Sequence, residues 1–424
     1  MDTVDVVGQA YQPRLIDAAL QEALGTAGCV VLEGARGTGK TMTALNAAES
    51  YVFVDEPESQ LMLSIAPRAL LDGARPRLLD EWQVAPELWN LVRRQVDAAP
   101  AKAQFILTGS AVPADDVTRH TGAARFLRLR QRTLTWWEKL GRGPRPVSLS
   151  GLFNEDRPET DLDAGSDLDE IISLLLLPGF PAMLDLSASR AAAALRAYAD
   201  EIARTDIRRL ADVRNDPTVI THLLESIARN VATMTAYTTL ADDVRVVSPD
   251  IRASTISTYV ALLERLFVVE TQAAWTPKLR SRARVRTSPK LHLVDAAFSA
   301  AVLGADANRL RRDLATLGHL FESAVTHDLT ALVLPLGGSV RHYHDSGDRE
   351  IDAVITLPDG RWGAVEIKLG GLQVQPAAVS LANAVAQVDA AASPPAFRLV
   401  VTGTGPTFAL DDGTITCPLT ALGP

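Results

Sequence analysis

The chain has 424 residues, of which 47% are hydrophobic and 22% are charged, and its formal net charge is −9. This length exceeds what one ordinary hydrophobic core supports, so we expect about two to four domains. The composition excludes a disordered or collagen-like chain. The negative net charge excludes a protein that is basic overall and coats nucleic acid. Local basic patches that contact nucleic acid are still compatible with this charge.

The longest apolar run, at 171–177, is too short to cross a bilayer, so we expect no membrane-spanning segment. Cys29 and Cys417 lie far apart, and the sequence opens without a basic and apolar leader. Both features predict a cytoplasmic location.

A glycine-rich motif is the clearest feature of the N-terminal third. The apolar segment 29–32 leads into GARGTGKT at 34–41 and then into an Ala- and Leu-rich helix. Glycines let backbone N–H groups wrap a phosphate chain, Lys40 reaches the outer phosphates and Thr41 binds Mg²⁺. A chance glycine loop is the alternative. The predicted ATP-binding residues are Gly34, Ala35, Arg36, Gly37, Thr38, Gly39, Lys40, Thr41 and Met42.

Such a loop needs an acidic residue after a second strand, and RPRLLDEWQ at 75–83 supplies Asp80 and Glu81. We expect Asp80 to hold Mg²⁺ together with Thr41, and Glu81 to polarise the attacking water. An ordinary helix start is the alternative. The segment FILTGSA at 105–111 predicts a strand that ends near Ser110, whose hydroxyl is suited to sense the γ-phosphate.

The next segment, 119–132, is rich in arginine. We expect one arginine, with Arg119 and Arg125 as the better candidates, to reach the nucleotide of a neighbouring subunit. A solvated or domain-packing basic face is the alternative for Arg128, Arg130 and Arg132 as well.

The middle of the chain begins with an acidic stretch, 156–170, which predicts a surface linker. Helical periodicity follows, and Asp216 before Pro217 marks one helix start. A helix at 253–264 and an apolar strand at 267–269 then complete the order helix, turn, helix, strand, which is typical of a winged helix.

Arginines alternate in the segment after that strand, WTPKLRSRARVRTSPK at 275–290, which contains no acidic residue. Alternate residues of a strand point to one face, and such a basic face is suited to phosphate contacts. A strand edge guarded by charge is the alternative. The basic residues are Lys278, Arg280, Arg282, Arg284, Arg286 and Lys290.

Two apolar strands near the C-terminus, 350–357 and 361–368, flank Pro-Asp-Gly, which predicts a hairpin with a three-residue loop. This register pairs Leu357 with Arg361 and sets Asp352 opposite Glu366. A two-residue turn would shift the pairing by one residue and spoil the apolar face, so we favour the longer loop.

Two carboxylates that face each other destabilise a sheet unless a cation relieves them, and a divalent metal does so. Lys368 points from the same face and is suited to stabilise a nucleophilic water or a phosphate. The alternative is an ion pair between Lys368 and Glu350 that leaves both acids exposed. His342 and His344 are either an additional ligand or base, or surface residues.

The motifs GARGTGKT, LLDEWQ, FILTGSA and RHTGAARFLRLR resemble AAA+-type bacterial and archaeal ATP-binding proteins that pair a P-loop domain with a C-terminal domain of unknown function. Similarity continues through TDIRRL, YVALLERLFVVE and PKLHLVDAAFSAAVL. The resemblance implies a homo-oligomer. The pattern Asp352, Glu366-x-Lys368 looks like the PD-(D/E)xK nuclease core, with Glu322 as the outer acid, although Ile351 replaces the usual proline.

The expected fold is therefore α/β in four parts: a P-loop NTPase domain (AAA+-like) at 1–150, a linker and helical segment at 151–215, a winged-helix-like domain at 216–290, and a restriction-endonuclease-like domain at 291–424. We expect an ATP-hydrolysing protein whose nucleotide state controls a nuclease-like half that binds nucleic acid, preferably DNA. A non-cleaving ATPase switch that binds nucleic acid or a protein partner is the alternative.

Overall fold

The computed structural model describes residues 3–112, 125–162, 166–210, 216–276, 288–388 and 394–424. A parallel sheet flanked by helices comes first in the chain, a largely helical region follows, and a mixed sheet with its own helices comes last. Within these ranges, no helix is both long enough and apolar enough to cross a membrane.

The N-terminal region alternates strands and helices, as its sequence pattern predicts. Its elements are α1 (Thr3–Val7), α2 (Ile16–Thr26), β1 (Cys29–Glu33), α3 (Lys40–Ala47), β2 (Ser50–Phe53), α4 (Pro57–Ile65), β3 (Arg77–Asp80), α5 (Leu88–Ala98), β4 (Phe105–Gly109) and β5 (Phe126–Arg130).

The strands of this region pair in parallel in the order β2-β3-β4-β1-β5. Both β1 and β4 are buried along their whole length, which explains why their sequences are apolar without alternation. Because parallel strands share one direction, the carboxyl ends of β1, β3 and β4 lie at the same edge of the sheet. The three polar segments that follow these strands therefore meet there.

The middle region is mainly helical. Its elements are α6 (Trp136–Lys139), β6 (Val147–Ser148), α7 (Leu149–Phe153), α8 (Leu168–Leu176), α9 (Ala188–Glu201), α10 (Ile207–Leu210), α11 (Pro217–Arg229), α12 (Tyr237–Val244), α13 (Ala253–Arg265), β7 (Val269–Gln272) and β8 (Lys290–Leu293).

Two boundaries in this region were predicted from the sequence, the start of α11 and the start of β7. Asp216 caps α11 as expected, because its side chain accepts a hydrogen bond from the backbone N–H of Thr218. The predicted strand at 267–269 starts later, at Val269, since Phe267 has a left-handed φ of 59° and belongs to a turn. Three helices and the antiparallel pair β7–β8 are thus observed, and the winged-helix assignment stays a prediction.

The C-terminal region contains a mixed sheet with the strand order β13-β14-β12-β11-β10-β9. Its elements are α14 (Ala296–Val302), α15 (Ala307–Arg312), α16 (Leu314–Leu332), β9 (Ser339–His344), β10 (Glu350–Thr356), β11 (Trp362–Lys368), α17 (Val374–Gln387), β12 (Phe397–Thr402), β13 (Phe408–Ala409), β14 (Ile415–Pro418) and β15 (Leu422–Gly423).

The hairpin β10–β11 has the predicted three-residue loop. The backbone N–H of Leu357 donates to the carbonyl oxygen of Arg361 at 2.9 Å, and Ala353 pairs with Val365. Gly360 adopts a φ of 90° in the loop, a conformation that favours glycine. The apolar face of the hairpin consequently packs into the core.

The hydrophobic cores do not follow the predicted domain boundaries. One core joins α9, α11, α12 and α13 to α14, beyond position 290. Another joins α6, α7 and α8 to the C-terminal sheet and α16. The boundaries at 150, 215 and 290 stay predictions, but burial connects segments on both sides of each of them.

Candidate functional site

The glycine-rich loop between β1 and α3 is held closely against the rest of the N-terminal region. A Cβ atom on Gly34 would lie 2.2 Å from the carbonyl oxygen of Gln131, so only glycine fits there. The side chains of Arg14 and Gln131 both donate to the carbonyl oxygen of Thr38, at 2.8 and 2.9 Å. The sequence analysis missed Arg14 and Gln131, for which no local pattern exists.

Lys40 begins α3 and is buried in the loop. Its Nζ donates to the carbonyl oxygen of Ala35 at 2.9 Å. Burial lowers the pKa of Lys40 to about 8, although the nearby carboxylates of Glu81 and Asp80 oppose this effect. The ammonium group therefore lies inside the loop, next to the backbone N–H groups that are suited to wrap phosphate.

Asp80, at the end of β3, meets Thr41 from the loop. The Thr41 hydroxyl donates to Oδ2 of Asp80 at 3.1 Å, and the Thr108 hydroxyl donates to Oδ1 at 2.5 Å. Burial raises the pKa of Asp80 to about 6. A hydroxyl and a carboxylate at this separation fit Mg²⁺, which takes oxygen ligands and binds through one or two carboxylates together with phosphates.

Glu81 and Ser110 are also brought together. Glu81 has a left-handed φ of 57°, and its backbone N–H donates to the Thr108 hydroxyl at 3.0 Å. Its carboxylate accepts hydrogen bonds from the Ser110 hydroxyl at 3.2 Å and from the amide of Gln83. The sequence analysis did not single out Gln83 or the double role of Thr108, which links β3 to β4.

A cavity of about 590 Å³ opens beside these groups. A second cavity of about 380 Å³ is also lined by Glu81 and Arg36 and extends towards α9 and the segment before β7. The lining of the first cavity includes Tyr11, Arg14, Arg36, Lys40, Thr41 and Glu81.

The candidate arginines have separate positions. Arg125 precedes β5, at the sheet edge opposite to the glycine-rich loop, and pairs with Asp97 at 2.8 Å. Arg128 pairs with Glu33 on β1.

Arg130 and Arg132 both pair with Glu270 of β7. Arg130 and Arg132 thus have the domain-packing role that was the alternative, whereas Arg119 lies outside the described residues.

The second candidate site lies where β10 and β11 separate. The regular ladder reaches Ala353 and Val365, and beyond it Oδ2 of Asp352 accepts a hydrogen bond from the backbone N–H of Ile367 at 2.8 Å. Lys368 Nζ lies 2.8 Å from Oε1 of Glu366 and 3.8 Å from Oδ2 of Asp352. The three predicted groups therefore converge.

Both acids are buried, with relative exposures of 8% for Asp352 and 6% for Glu366, so the alternative of two exposed strand residues is wrong. The alternative also predicted an ion pair between Glu350 and Lys368, and the structure pairs Glu350 with a different lysine. The carboxylate of Glu350 pairs with Lys290 instead, at 2.6 Å.

Lys290 is the residue that the sequence analysis misassigned. It was grouped with the basic phosphate-contacting segment, but it is the first residue of β8 and is only 3% exposed. Its Nζ lies 2.7 Å from Oε1 of Glu322, 2.6 Å from Oε1 of Glu350 and 3.9 Å from Oδ1 of Asp352. His292, two residues further along β8, also reaches α16, with Nδ1 3.0 Å from the Ser323 hydroxyl, so this face of β8 points inwards.

Burial raises the pKa values of Asp352, Glu322 and Glu366, and the Asp352 charge adds to the effect at the two glutamates. Burial acts on Glu350 as well, but the charge and the hydrogen bond of Lys290 oppose it, and the pKa of Glu350 is lowered. The pKa of Glu322 rises to about 7 and that of Glu366 to about 8. Burial by itself lowers the pKa of Lys290, but the charges of Glu322, Asp352 and Glu350 outweigh it and raise the pKa above its ordinary value.

The carboxylates do not form an open metal site. In the part of the chain that the structure describes, no three or more His, Cys, Asp and Glu side chains are grouped so that they could hold a metal ion. The predicted ligands Asp352, Glu366 and Glu322 do lie in one cluster, but the ammonium groups of Lys290 and Lys368 stand between them.

His342 and His344 on β9 are buried, so the surface alternative is wrong. His342 Nε2 lies 3.1 Å from the carbonyl oxygen of Ser288, and His344 Nε2 lies 3.0 Å from Oδ1 of Asp348. Burial lowers the pKa of His342 to about 4, which keeps it neutral at pH 7. The predicted nucleic-acid contacts Lys278, Arg280, Arg282, Arg284 and Arg286 lie outside the described residues.

Family models match three parts of the chain. Residues 26–134 match the AAA domain model, which covers the glycine-rich loop, Asp80, Glu81 and Ser110. This region is similar to AAA domains, which agrees with the predicted P-loop. Residues 168–309 and 317–422 match two domains of unknown function, DUF8612 and DUF4143. Neither description mentions a nuclease, so the restriction-endonuclease-like fold stays a prediction.

Two curated relatives are the uncharacterized proteins Rv2008c of Mycobacterium tuberculosis and Mb2031c of Mycobacterium bovis. Each is 26% identical over 356 residues, which span 83% of this chain and 72% of the relative. Among solved structures, the Walker-type ATPase PABY2304 of Pyrococcus abyssi is 15% identical with a TM-score of 0.41, over 68% of this chain and 94% of its own. The ORC1 protein of Aeropyrum pernix, solved with DNA, is 13% identical with a TM-score of 0.23, over 70% and 93%.

Proposed function

We propose that this protein binds and hydrolyses ATP with Mg²⁺ in its N-terminal region. The observation that carries the proposal is the contact of Thr41 with Asp80 at 3.1 Å, beside the buried ammonium group of Lys40. In this assignment Lys40 contacts the outer phosphates and neutralises their developing charge. Mg²⁺, held by Thr41 and Asp80, would supply further charge compensation and orient the phosphates.

The remaining polar groups at the sheet edge orient the attacking water. Glu81 polarises the water, and its carboxylate is held in place by Gln83 and Ser110. The contact of the Ser110 hydroxyl with the Glu81 carboxylate at 3.2 Å supports the proposed sensing role. An arginine of a neighbouring subunit, from the pair Arg119 and Arg125, would complete the site in a homo-oligomer.

Contacts of the loop with the rest of the chain support a switching role. Arg36 of the loop pairs with Asp206 at 3.2 Å, and the Tyr198 hydroxyl donates to the carbonyl oxygen of Arg36 at 3.4 Å. Both partners belong to the helical middle region. A bound triphosphate attracts the Arg36 guanidinium. The phosphates would therefore compete with the Asp206 carboxylate for Arg36, and the bound nucleotide would control this contact.

The proposal is tested by measuring ATP hydrolysis and nucleotide binding for wild type and Lys40→Ala. We expect the variant to lose roughly 100-fold or more in turnover, because one of the main charges that stabilise the transferred phosphate is removed. The exposed Lys102→Ala is the matched control and should retain full activity. Absence of nucleotide uptake by folded wild-type protein in calorimetry with Mg²⁺ would contradict the proposal.

A second candidate function for the C-terminal half is cleavage of nucleic acid, preferably DNA. The convergence of Lys368 with Asp352 and Glu366 favours it. Lys290 opposes it, because its ammonium group takes a cation's place among the carboxylates. We therefore favour a non-cleaving ATPase switch. The test is cleavage of labelled DNA or RNA in the presence of Mn²⁺. Cleavage by wild type that Asp352→Ala abolishes would establish the nuclease instead.

A further inference from the structure

The cluster between β8, β10, β11 and α16 gathers more acidic groups than a simple ion pair needs. Four carboxyl groups face two ammonium groups, and all belong to the C-terminal half or its border. The four acidic residues are Glu322, Glu350, Asp352 and Glu366, and the two basic residues are Lys290 and Lys368.

Within this cluster Lys290 has the position of a central cation. Its Nζ approaches carboxylate oxygens from α16 and from two residues of β10, at 2.7, 2.6 and 3.9 Å. Divalent cations are bound by carboxylate oxygens from separate elements in a similar way, at about 2.0–2.6 Å. Lys368 is different, because it is more exposed, at 31% of its side chain, and pairs mainly with its neighbour Glu366.

An independent observation shows that the cluster has spare acceptor capacity. Oε2 of Glu366 is buried and has no hydrogen-bond partner among the described residues, and the residue is only 6% exposed. A buried acceptor without a partner is costly and uncommon. The cluster therefore offers at least one oxygen that the two lysines leave unused.

We infer that Lys290 is the resident cation of this carboxylate cluster and keeps divalent metal ions out of it. A metal ion entering the cluster would have to displace a buried ammonium group from Glu322 and Glu350 and leave that positive charge unpaired. Removing one partner of a buried ion pair is strongly unfavourable. The inference goes beyond the proposed ATPase activity and concerns a separate site.

The consequence is that neutralising position 290 converts the cluster into a divalent metal site. Lys290→Met retains much of the side-chain length and removes the charge. The oxygens of Glu322, Glu350 and Asp352 that face Lys290 then become available, beside the unpartnered Oε2 of Glu366. Divalent cations satisfy such oxygen sets well. In the wild-type chain the ammonium group of Lys290 pairs with Glu322 and Glu350 and lies 3.9 Å from Asp352.

The test measures Mn²⁺ binding to the nucleotide-free, chelator-treated full-length chain by electron paramagnetic resonance of the free ion. Wild type, Lys290→Met and the double variant Lys290→Met with Glu366→Gln are compared, since any weak binding at the P-loop contributes equally to all three. We expect one additional Mn²⁺ per chain in Lys290→Met that wild type does not bind. The double variant should bind this ion roughly tenfold more weakly or worse.

Lys368→Met is the matched control, because it removes a lysine of the same cluster but leaves Lys290 in place. It should bind no additional Mn²⁺. A gain in Lys368→Met equal to that in Lys290→Met would overturn the assignment of the central role to Lys290. A folded Lys290→Met chain that gains no Mn²⁺ would overturn the inference itself.

Two further measurements keep the inference open to refutation if Lys290→Met does not fold. First, Mn²⁺ binding is compared between wild type and Asp352→Asn. A Mn²⁺ ion that wild type binds and Asp352→Asn does not bind would overturn the inference without any lysine variant. Second, Lys290→Met combined with Glu350→Gln has less repulsion and should fold and bind Mn²⁺ through the other three carboxylates. ATP hydrolysis measured in parallel should be unchanged in Lys290→Met, which separates this site from the ATPase.

Discussion

At the scale of single residues, Asp80 shows how burial changes the pKa of a carboxyl group that we propose as a Mg²⁺ ligand. Its carboxylate receives two hydroxyl hydrogen bonds, from Thr41 and Thr108, which favour the charged form. Burial acts in the opposite direction and is the larger effect, so the pKa rises from an ordinary 3.8 to about 6. The nucleotide-free site is therefore close to taking up a proton under mildly acidic conditions.

This leads to a pH prediction for Mg²⁺-dependent nucleotide binding. Asp80 binds Mg²⁺ only when it is deprotonated, so affinity should be full above about pH 6 and fall as the pH drops through that value. The same raised pKa means that the stability contributed by protonated Asp80 is present at low pH and lost as the pH rises through about 6.

Titration calorimetry of ATP with Mg²⁺ between pH 5 and 8 measures this effect, with Asp80→Asn as the reference. The variant should bind and hydrolyse about 10- to 100-fold less well at pH 7.5 and lack the additional step near pH 6. Protonation of the nucleotide affects both proteins, so the difference between them is the relevant quantity. Identical pH profiles would contradict the assignment of Asp80 as a metal ligand.

At the scale of secondary structure, the loop of the β10–β11 hairpin sets which side chains face the carboxylate cluster. The three-residue loop fixes the pairing of Leu357 with Arg361 and of Ala353 with Val365. A slip by one residue would turn every side chain to the other face. At the end of the hairpin away from its loop, the register between β10 and β9 shifts between Ile351 and Val354. The ladder between β10 and β11 also stops there, and the side chains of Asp352 and Glu366 face the lysines of the cluster.

The loop conformation predicts opposite effects for two glycine substitutions. Gly360 has a φ of 90° and Gly25 lies in α2, and a Cβ atom on either would contact nothing within 4 Å. Gly360→Ala should therefore lower the free energy of unfolding by about 1–2 kcal/mol through backbone strain alone. Gly25→Ala should raise it by about 0.5–1 kcal/mol, because alanine loses less entropy in a helix.

Chemical denaturation of both variants measures these changes. The pair is informative because neither substitution creates a steric clash or removes a hydrogen bond of a side chain. Equal effects of the same sign would show that the left-handed conformation of Gly360 does not determine the stability of the hairpin.

At the scale of the whole molecule, charged contacts connect the N-terminal region to the regions that follow it. Glu270 on β7 pairs with both Arg130 and Arg132, and the guanidinium charges hold the pKa of Glu270 well below its usual range despite the burial that opposes them. The segment after β7 contains the alternating arginines, and it leads to Lys290 at the start of β8.

The alternating arginines yield a prediction about nucleic-acid binding. Changing Arg280, Arg282, Arg284 and Arg286 to glutamine should weaken binding to all sequences to a similar extent. It should also reduce the slope of log affinity against log salt by about 0.9 for each phosphate that the variant no longer neutralises.

Fluorescence anisotropy with single-stranded, duplex and RNA probes at several salt concentrations measures this effect. The matched control replaces Arg309, Arg311 and Arg312 of the exposed helix α15 by glutamine, which should leave both affinity and slope unchanged. Unaltered binding by the first variant, or binding by neither protein, would favour a protein partner instead.

The sequence by itself determined the features that depend on contiguous residues. GARGTGKT between an apolar strand and a helix, the Asp80-Glu81 pair after a second strand, and the hairpin loop at 358–360 were all predicted from local patterns, and the structure has the corresponding strands, helices and turn. These features are local because each is produced by backbone conformation and burial within a single supersecondary unit.

Tertiary structure alone decided which charges meet. Lys290 follows a run of basic residues, so its sequence context resembles a phosphate-binding surface, yet it lies 2.7 Å from Glu322 and 2.6 Å from Glu350. Arg14 reaches Thr38 without any motif. A lysine or arginine looks the same in sequence whether it points to solvent or to buried carboxylates. The difference is set by packing between distant elements, which makes an unpaired buried charge too costly and so selects its partners.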